Sequence, residues 1–182
     1  MVAQSKKVPK SWPAKARELY SPLRQLGIGG FGTVWLAETK ESLSSSSVLS
    51  QDKCVAIKLV GHPITAPMSK FEKKSEEGYF RREVEILQEI SHPHIVKLLR
   101  CIEGEAEEYK NDSLKEASPY CMILQYCRGP TLHQLIMHGA AIGIPMAREV
   151  SSQLIDAVSY LHGRGVIHRD IKPDNIGKDT RA

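Results

Sequence analysis

No stretch of the 182 residues approaches the roughly 18 consecutive apolar residues that a membrane span needs. The N-terminal arm also lacks the apolar segment of a secretory signal. From these absences a soluble, intracellular protein is expected. Paired cysteines are missing too: Cys54, Cys101, Cys121 and Cys127 form no CxxC and sit in strand-like or apolar surroundings. Neither a zinc site nor a disulfide framework is expected, and the four read as buried, reduced thiols. His92 and His94 in "SHPHIV" have no second ligand pair at a suitable spacing, which argues against a metal there. The chain has no internal repeat and no long run of one charge, and its net charge is a modest +4. Lys6, Lys7, Lys10, Lys15 and Arg17 cluster near the start, where a solvated, disordered arm is a better reading than a nuclear or membrane-surface address. Nucleic acid is not an expected partner.

Apolar residues make up 41% of the chain and charged residues 25%, a globular balance able to bury a substantial core at this length. "YSPLRQLGIGGFGTVWLAE" reads as strand, glycine turn, strand, because Thr33, Val34 and Trp35 are β-branched or aromatic and no helical period appears. The serine-rich "TKESLSSSSVLSQDK" reads as a flexible insert. "CVAIKLV" reads as a buried strand whose period of two puts Ala56 and Lys58 on one face. A helix is expected from about Tyr79 to Ile90, where Phe80, Val84, Leu87 and Ile90 recur at helical spacing and Gly78 marks a break before it. "HIVKLLRCIE" and "YCMILQYC" are two more strands, separated by the acidic "GEAEEYKNDSLKEASP". Beyond "RGP", "TLHQLIMHG" reads as a short helix begun by Pro130 and Thr131. A longer helix from about Met146 to His162 carries Val150, Leu154, Val158 and Leu161 on one stripe and ends at "GRG".

Chemistry is concentrated in two places. In "GIGGFG", Gly27, Gly29 and Gly32 satisfy the GxGxxG spacing, which two unrelated nucleotide-binding designs share. In a dinucleotide fold the third glycine opens a helix, whereas "TVWLAE" reads as a strand. A hairpin tip with three glycines lets backbone amides lie close over phosphates, because side chains there would hold the ligand away. A plain tight turn is the competing reading. In "VIHRDIKPDN", His168, Arg169, Asp170, Lys172 and Asn175 stand at a spacing that suggests phosphoryl transfer.

Gly27, Gly29, Gly32 and Val34, then "VAIK" ending at Lys58, then "RREVEIL" with Glu83, then "HRDIKPDN" occur in the order found in eukaryotic protein kinases. From about Tyr20 to Ile176 the chain therefore resembles a protein kinase, and Lys172 resembles the serine/threonine branch. The resemblance implies that Lys58 binds the α- and β-phosphates of ATP and is held by an ion pair with Glu83. Asp170 would accept the proton of a protein serine or threonine hydroxyl, Lys172 would steady the transferring phosphate, and Asn175 would hold one magnesium ion. His168 and Arg169 look architectural. "MILQYCRG" is similar to the family hinge, with Leu124 at the gatekeeper position and the backbone of Gln125 and Cys127 pairing with adenine under an apolar roof of Leu26, Val34 and Ala56.

The resemblance implies an α+β fold: a small lobe at 20–124, made of a five-stranded antiparallel sheet plus one helix, with inserts at 39–53 and 103–119. A hinge at 125–129 and an incomplete helical large lobe at 130–182 follow, and a basic disordered arm at 1–19 precedes. Two departures weigh on activity. Gly177 stands where the family places the apolar floor under adenine, a loss of about 1.5–3 kcal/mol of burial. No Asp-Phe-Gly follows Asn175, so the second magnesium ligand is missing and turnover is expected to be low. The ending "GKDTRA" departs from the hydrophobic strand expected after "DNI", as a read-through splice donor or a fragment boundary would make it. The long helix's stripe should then be partly exposed, limiting solubility or offering a patch to a partner. The two functional readings are a protein serine/threonine kinase and a non-catalytic kinase fragment that binds nucleotide weakly or occupies partners. The expected setting is cytoplasmic, with the nucleus as the alternative.

Overall fold

The computed structural model describes residues 12–29, 32–40, 53–60, 70–103, 120–139 and 142–179. The chain divides into two compact units, Met1–Glu89 with Lys97–Tyr126, and Ile90–Val96 with Cys127–Ala182. The segment 90–96 thus groups with the second unit, although the sequence reading keeps it in the small lobe.

The first unit is built on β1 (Tyr20–Gly29), β2 (Gly32–Thr39), β3 (Cys54–Val60), β4 (Leu98–Glu103) and β5 (Tyr120–Gln125), paired antiparallel in the order β1-β2-β3-β5-β4. The alternation in β3 divides its side chains between the two faces of the sheet. Val55, Ile57 and Leu59 join Ala37, Ile102, Cys121 and Ile123 in one buried cluster. The opposite face carries Met122 in a second cluster with Phe80 and Val84 of α2 (Lys70–Glu89), against which Leu87, Leu98 and Leu124 pack. Phe80 also stacks on Tyr120 at 4.7 Å between ring centroids.

Helix α2 begins nine residues before the expected Tyr79 and runs through Gly78. The flanking "KFEKKSEE" is rich in strong helix formers, which outweigh the roughly 1 kcal/mol that a glycine costs in a helix interior. A Cβ at Gly78 would meet nothing within 4 Å.

The expected disordered arm is corrected over residues 12–19. Ala14–Leu19 form a helix, α1, and Trp12 and Ala16 are fully buried in the first cluster. Trp12 meets the Trp35 ring edge to face at 6.3 Å. Lys40, at the end of β2, donates its backbone N–H to the Leu19 carbonyl at 2.8 Å and its ammonium to the Arg17 carbonyl at 2.5 Å. Helix α1 thus precedes the small lobe, which holds the one expected helix, α2. The basic count at the start hid the single aromatic that decides the packing, since burying an indole is worth about 3–5 kcal/mol against alanine. Residues 1–11 of the arm, 41–52 of the serine-rich insert and 104–119 of the acidic one lie outside the described residues.

The second unit holds α3 (Leu132–Met137) and α4 (Ile144–His162). Thr131 and Gln134 close α3 with reciprocal hydrogen bonds: the Gln134 N–H donates to Thr131 Oγ1 at 3.2 Å and the Thr131 N–H to Gln134 Oε1 at 2.9 Å. Along α4, Leu161 is buried and Val150, Leu154 and Val158 are half-buried. The apolar side chains left out are Ile144 and Ile155, at 74% and 65% exposure, which line an open groove with Ala147, Arg148, Ser151 and Ser152. No described helix is long and apolar enough to cross a membrane.

Candidate functional site

The sequence-predicted residues of the first unit fall on the hairpin, on β3 and on α2. Register pairs Gly29 with Gly32 at the hairpin end, Gly27 with Val34, and Val34 with Lys58. Gly32 adopts φ 122, a backbone that a side chain would resist, so this glycine is demanded by the turn itself. At Gly27, by contrast, a Cβ would meet no protein atom within 4 Å. Packing does not explain that glycine, and its bare backbone is open to approach from outside.

Lys58 reaches across to α2, where its ammonium donates to both carboxylate oxygens of Glu83 at 2.7 and 2.9 Å. The lysine side chain is 21% exposed and the glutamate 43%, so the pair adds only about 0–1 kcal/mol of stability. Its consequence is to fix the position of a cation. Ala56 is buried, while Leu26, Val34, Leu124 and Gln125 are half-buried. Leu124 packs on the Phe80 and Val84 cluster, tying the expected gatekeeper to the helix that carries Glu83.

In the second unit the loop after α4 converges on Asp170. Asn175 Nδ2 donates to the Asp170 carbonyl at 2.8 Å and to Asp170 Oδ2 at 3.0 Å. Lys172 Nζ stands 2.9 Å from the same Oδ2, and the Asp170 N–H donates to His168 Nδ1 at 3.3 Å. The Lys172 and Asn175 hydrogen bonds hold the Asp170 carboxyl below the usual carboxylate range. Oδ1 has no partner among the described residues and is the oxygen left to take a proton. Arg169 bends the loop with φ 65, a left-handed conformation that costs a non-glycine residue roughly 1–2 kcal/mol.

After Asn175 the chain returns to the hinge segment. Leu132 N–H donates to Ile176 O at 2.8 Å, Lys178 N–H donates to Pro130 O at 3.0 Å, and Thr131 bridges Gly177. Over 176–179 this pairing is a single isolated bridge and not a strand. A Cβ on Gly129 would lie 2.0 Å from the Lys178 carbonyl oxygen, so this close approach admits only glycine. Sequence reading saw "RGP" merely as a break, and nothing in one sequence signals the contact. At Gly177 a Cβ would make an ordinary 3.7 Å contact with Cys127 Cβ.

The histidine pair has a structural use. Within the second unit, Ser91 N–H donates to the Tyr160 hydroxyl at 2.9 Å, and His92 Nε2 lies 3.2 Å from Asp156 Oδ2. Among the described residues no group of three His, Cys, Asp or Glu can hold a metal ion. The loop's oxygen donors are the Asn175 carboxamide and the Asp170 and Asp174 carboxylates, and magnesium takes the rest of its roughly six oxygens from phosphates and water. The four thiols are unbridged, but only Cys121 is fully buried, the other three being half-buried where all four were expected inside.

A glycine hairpin beside a lysine pinned by a helix carboxylate is the architecture of a kinase small lobe. Comparison with known families agrees, since residues 20–181 match the protein kinase domain, and the chain belongs to that family. It is 43% identical over 108 residues to the serine/threonine-protein kinase ppk34 of Schizosaccharomyces pombe, covering 58% of this chain and 27% of that protein. To the sperm motility kinase Z of Mus musculus it is 32% identical over 137 residues, 74% of this chain and 25% of the relative. To the serine/threonine protein kinase OSK3 of Oryza sativa subsp. indica it is 30% identical over 168 residues, 92% of this chain and 28% of the relative. The chain spans about a quarter of the length of these curated relatives. Family membership implies use of ATP and a divalent metal.

Proposed function

We propose that these residues form the nucleotide-binding and base-carrying part of a serine/threonine protein kinase, which transfers the γ-phosphate of ATP to protein hydroxyls. The observation that carries this reading is Lys58 held on both oxygens of Glu83, a cation fixed one strand away from the glycine hairpin. Gly27, Gly29 and Gly32 expose backbone to the phosphates, Leu26, Val34 and Ala56 cover the base, and the backbone of Gln125 and Cys127 pairs with adenine. Asp170 Oδ1 accepts the substrate proton, and Lys172 steadies the phosphate. When bound, magnesium neutralises phosphate charge, and Asn175 is the residue that offers it a donor. Lys172 and the names of the relatives favour serine and threonine over tyrosine. Unbridged thiols accord with a reducing, cytoplasmic setting.

Gly177, which has no side chain where the resemblance places the apolar floor under adenine, favours a second reading for the 182 residues: a non-catalytic kinase fragment that binds ATP weakly, with little turnover. Transfer from labelled ATP to a generic protein substrate separates the two, using the chain with its Asp170→Asn and Lys58→Met variants. Transfer lost in both variants establishes a working kinase. Binding without transfer supports the second reading, and absence of ATP binding by the folded chain overturns both.

A further inference from the structure

Trp12 lies before the region that matches the kinase family, which begins at residue 20, yet it is among the largest fully buried side chains of the chain. We propose that Trp12–Leu19 is a strap that poses the β1–β2 hairpin for the nucleotide, with Trp12 as its positioning residue acting through Trp35. The proposal rests on the nucleotide-binding reading above.

The argument runs through β2. Trp35 is held edge to face by Trp12 at 6.3 Å and pairs in register with Ile57 of β3. The residue before it, Val34, pairs with Gly27 on one side and with Lys58 on the other. Adjacent strand residues point to opposite faces, so seating the Trp35 ring on the outer face fixes the height and twist at which Val34 stands between the glycine turn and the lysine. The two Lys40 bonds to Arg17 and Leu19 close the open end of the same hairpin. Both indole N–H groups are buried without an acceptor. No hydrogen bond from either indole holds the two rings together, so their contact rests on shape, and a phenyl ring should serve where a methyl cannot.

The chain contains two tryptophans, which makes the test direct: in a Trp12 variant, all indole emission comes from Trp35. The full chain, Trp12→Phe, Trp12→Ala and Lys40→Met are titrated with a fluorescent adenine nucleotide, with far-ultraviolet circular dichroism to establish folding. Trp12→Ala should shift Trp35 emission to the red and weaken nucleotide binding by about tenfold or more. Trp12→Phe should restore both to within about twofold of the parent, and Lys40→Met should fall between. A folded Trp12→Ala chain with parental affinity overturns the proposal, as does a Trp12→Phe chain as defective as alanine. Should Trp12→Ala not fold, Lys40→Met decides: parental affinity overturns the strap, and weakened affinity in a folded chain supports it. A parent chain that binds no nucleotide removes the nucleotide reading itself, and the strap's positioning role with it.

Discussion

The two oxygens of Asp170 are unequal: Oδ2 is held by Lys172 and Asn175, and Oδ1 has no partner among the described residues. Those hydrogen bonds depress the carboxyl pKa, so Asp170 is ionised at neutral pH. Its contribution to stability is present above the ordinary carboxylate range and is lost as pH falls through the lower folded value. Lys172→Met should move that titration upward, which NMR of the labelled carboxyl measures. An unchanged titration would mean the lysine contact does not persist in solution. Burial pushes the Cys121 thiol up to about 12. Burial, then the Glu103 carboxylate, pushes Cys101 up to about 11. At mildly alkaline pH both are neutral, and alkylation followed by mass spectrometry should find them about a hundredfold slower to react than in the denatured chain. Residue identities at the loop were legible because "HRDIKPDN" is a contiguous motif. The division of labour between the two oxygens was not, because it depends on where Asn175 returns after a turn.

At the scale of elements, two glycines make opposite predictions. Gly78 lies in the middle of α2 with open space where a Cβ would stand. Gly78→Ala should therefore stabilise the first unit by about 1 kcal/mol in urea unfolding. Gly129→Ala drives a methyl into the Lys178 carbonyl and should cost about 1–3 kcal/mol. Hydrogen exchange locates that damage, since the amides of Leu132 and Lys178 should lose protection while those of β3 keep theirs. The five strands and α4 were readable from alternation and helical period. The start of α2 was misread because Gly78 was given the weight of a stop. Helix α1 was missed because six residues with one buried alanine carry no period, and the reason they order is Trp12 packing on a sheet assembled from distant sequence.

For the whole molecule, the apolar surface that remains exposed is a matter of solubility. Replacing Ile144 and Ile155 together by lysine should lower the aggregate fraction in light scattering without altering the circular dichroism spectrum, because both side chains are mostly in solvent. No change in aggregation would move the liability elsewhere. The stripe expected to be partly exposed is half-buried at Val150, Leu154 and Val158 and buried at Leu161. Sheet register has a consequence for protein engineering as well. Gly32, Val60, Tyr120 and Glu103 stand in one row across the strands, and Glu38 pairs with Cys54 at the far end. The acidic insert is therefore anchored at the glycine-turn end of the sheet and the serine-rich insert at the opposite end. Doubling the length of a connection between strands costs only about 0.6 kcal/mol of closure entropy, so both sites are thermodynamically permissive for a grafted reporter. A graft between Lys40 and Lys53 would sit at the end remote from the hairpin tip, and one between Glu103 and Tyr120 would share the tip's end of the sheet.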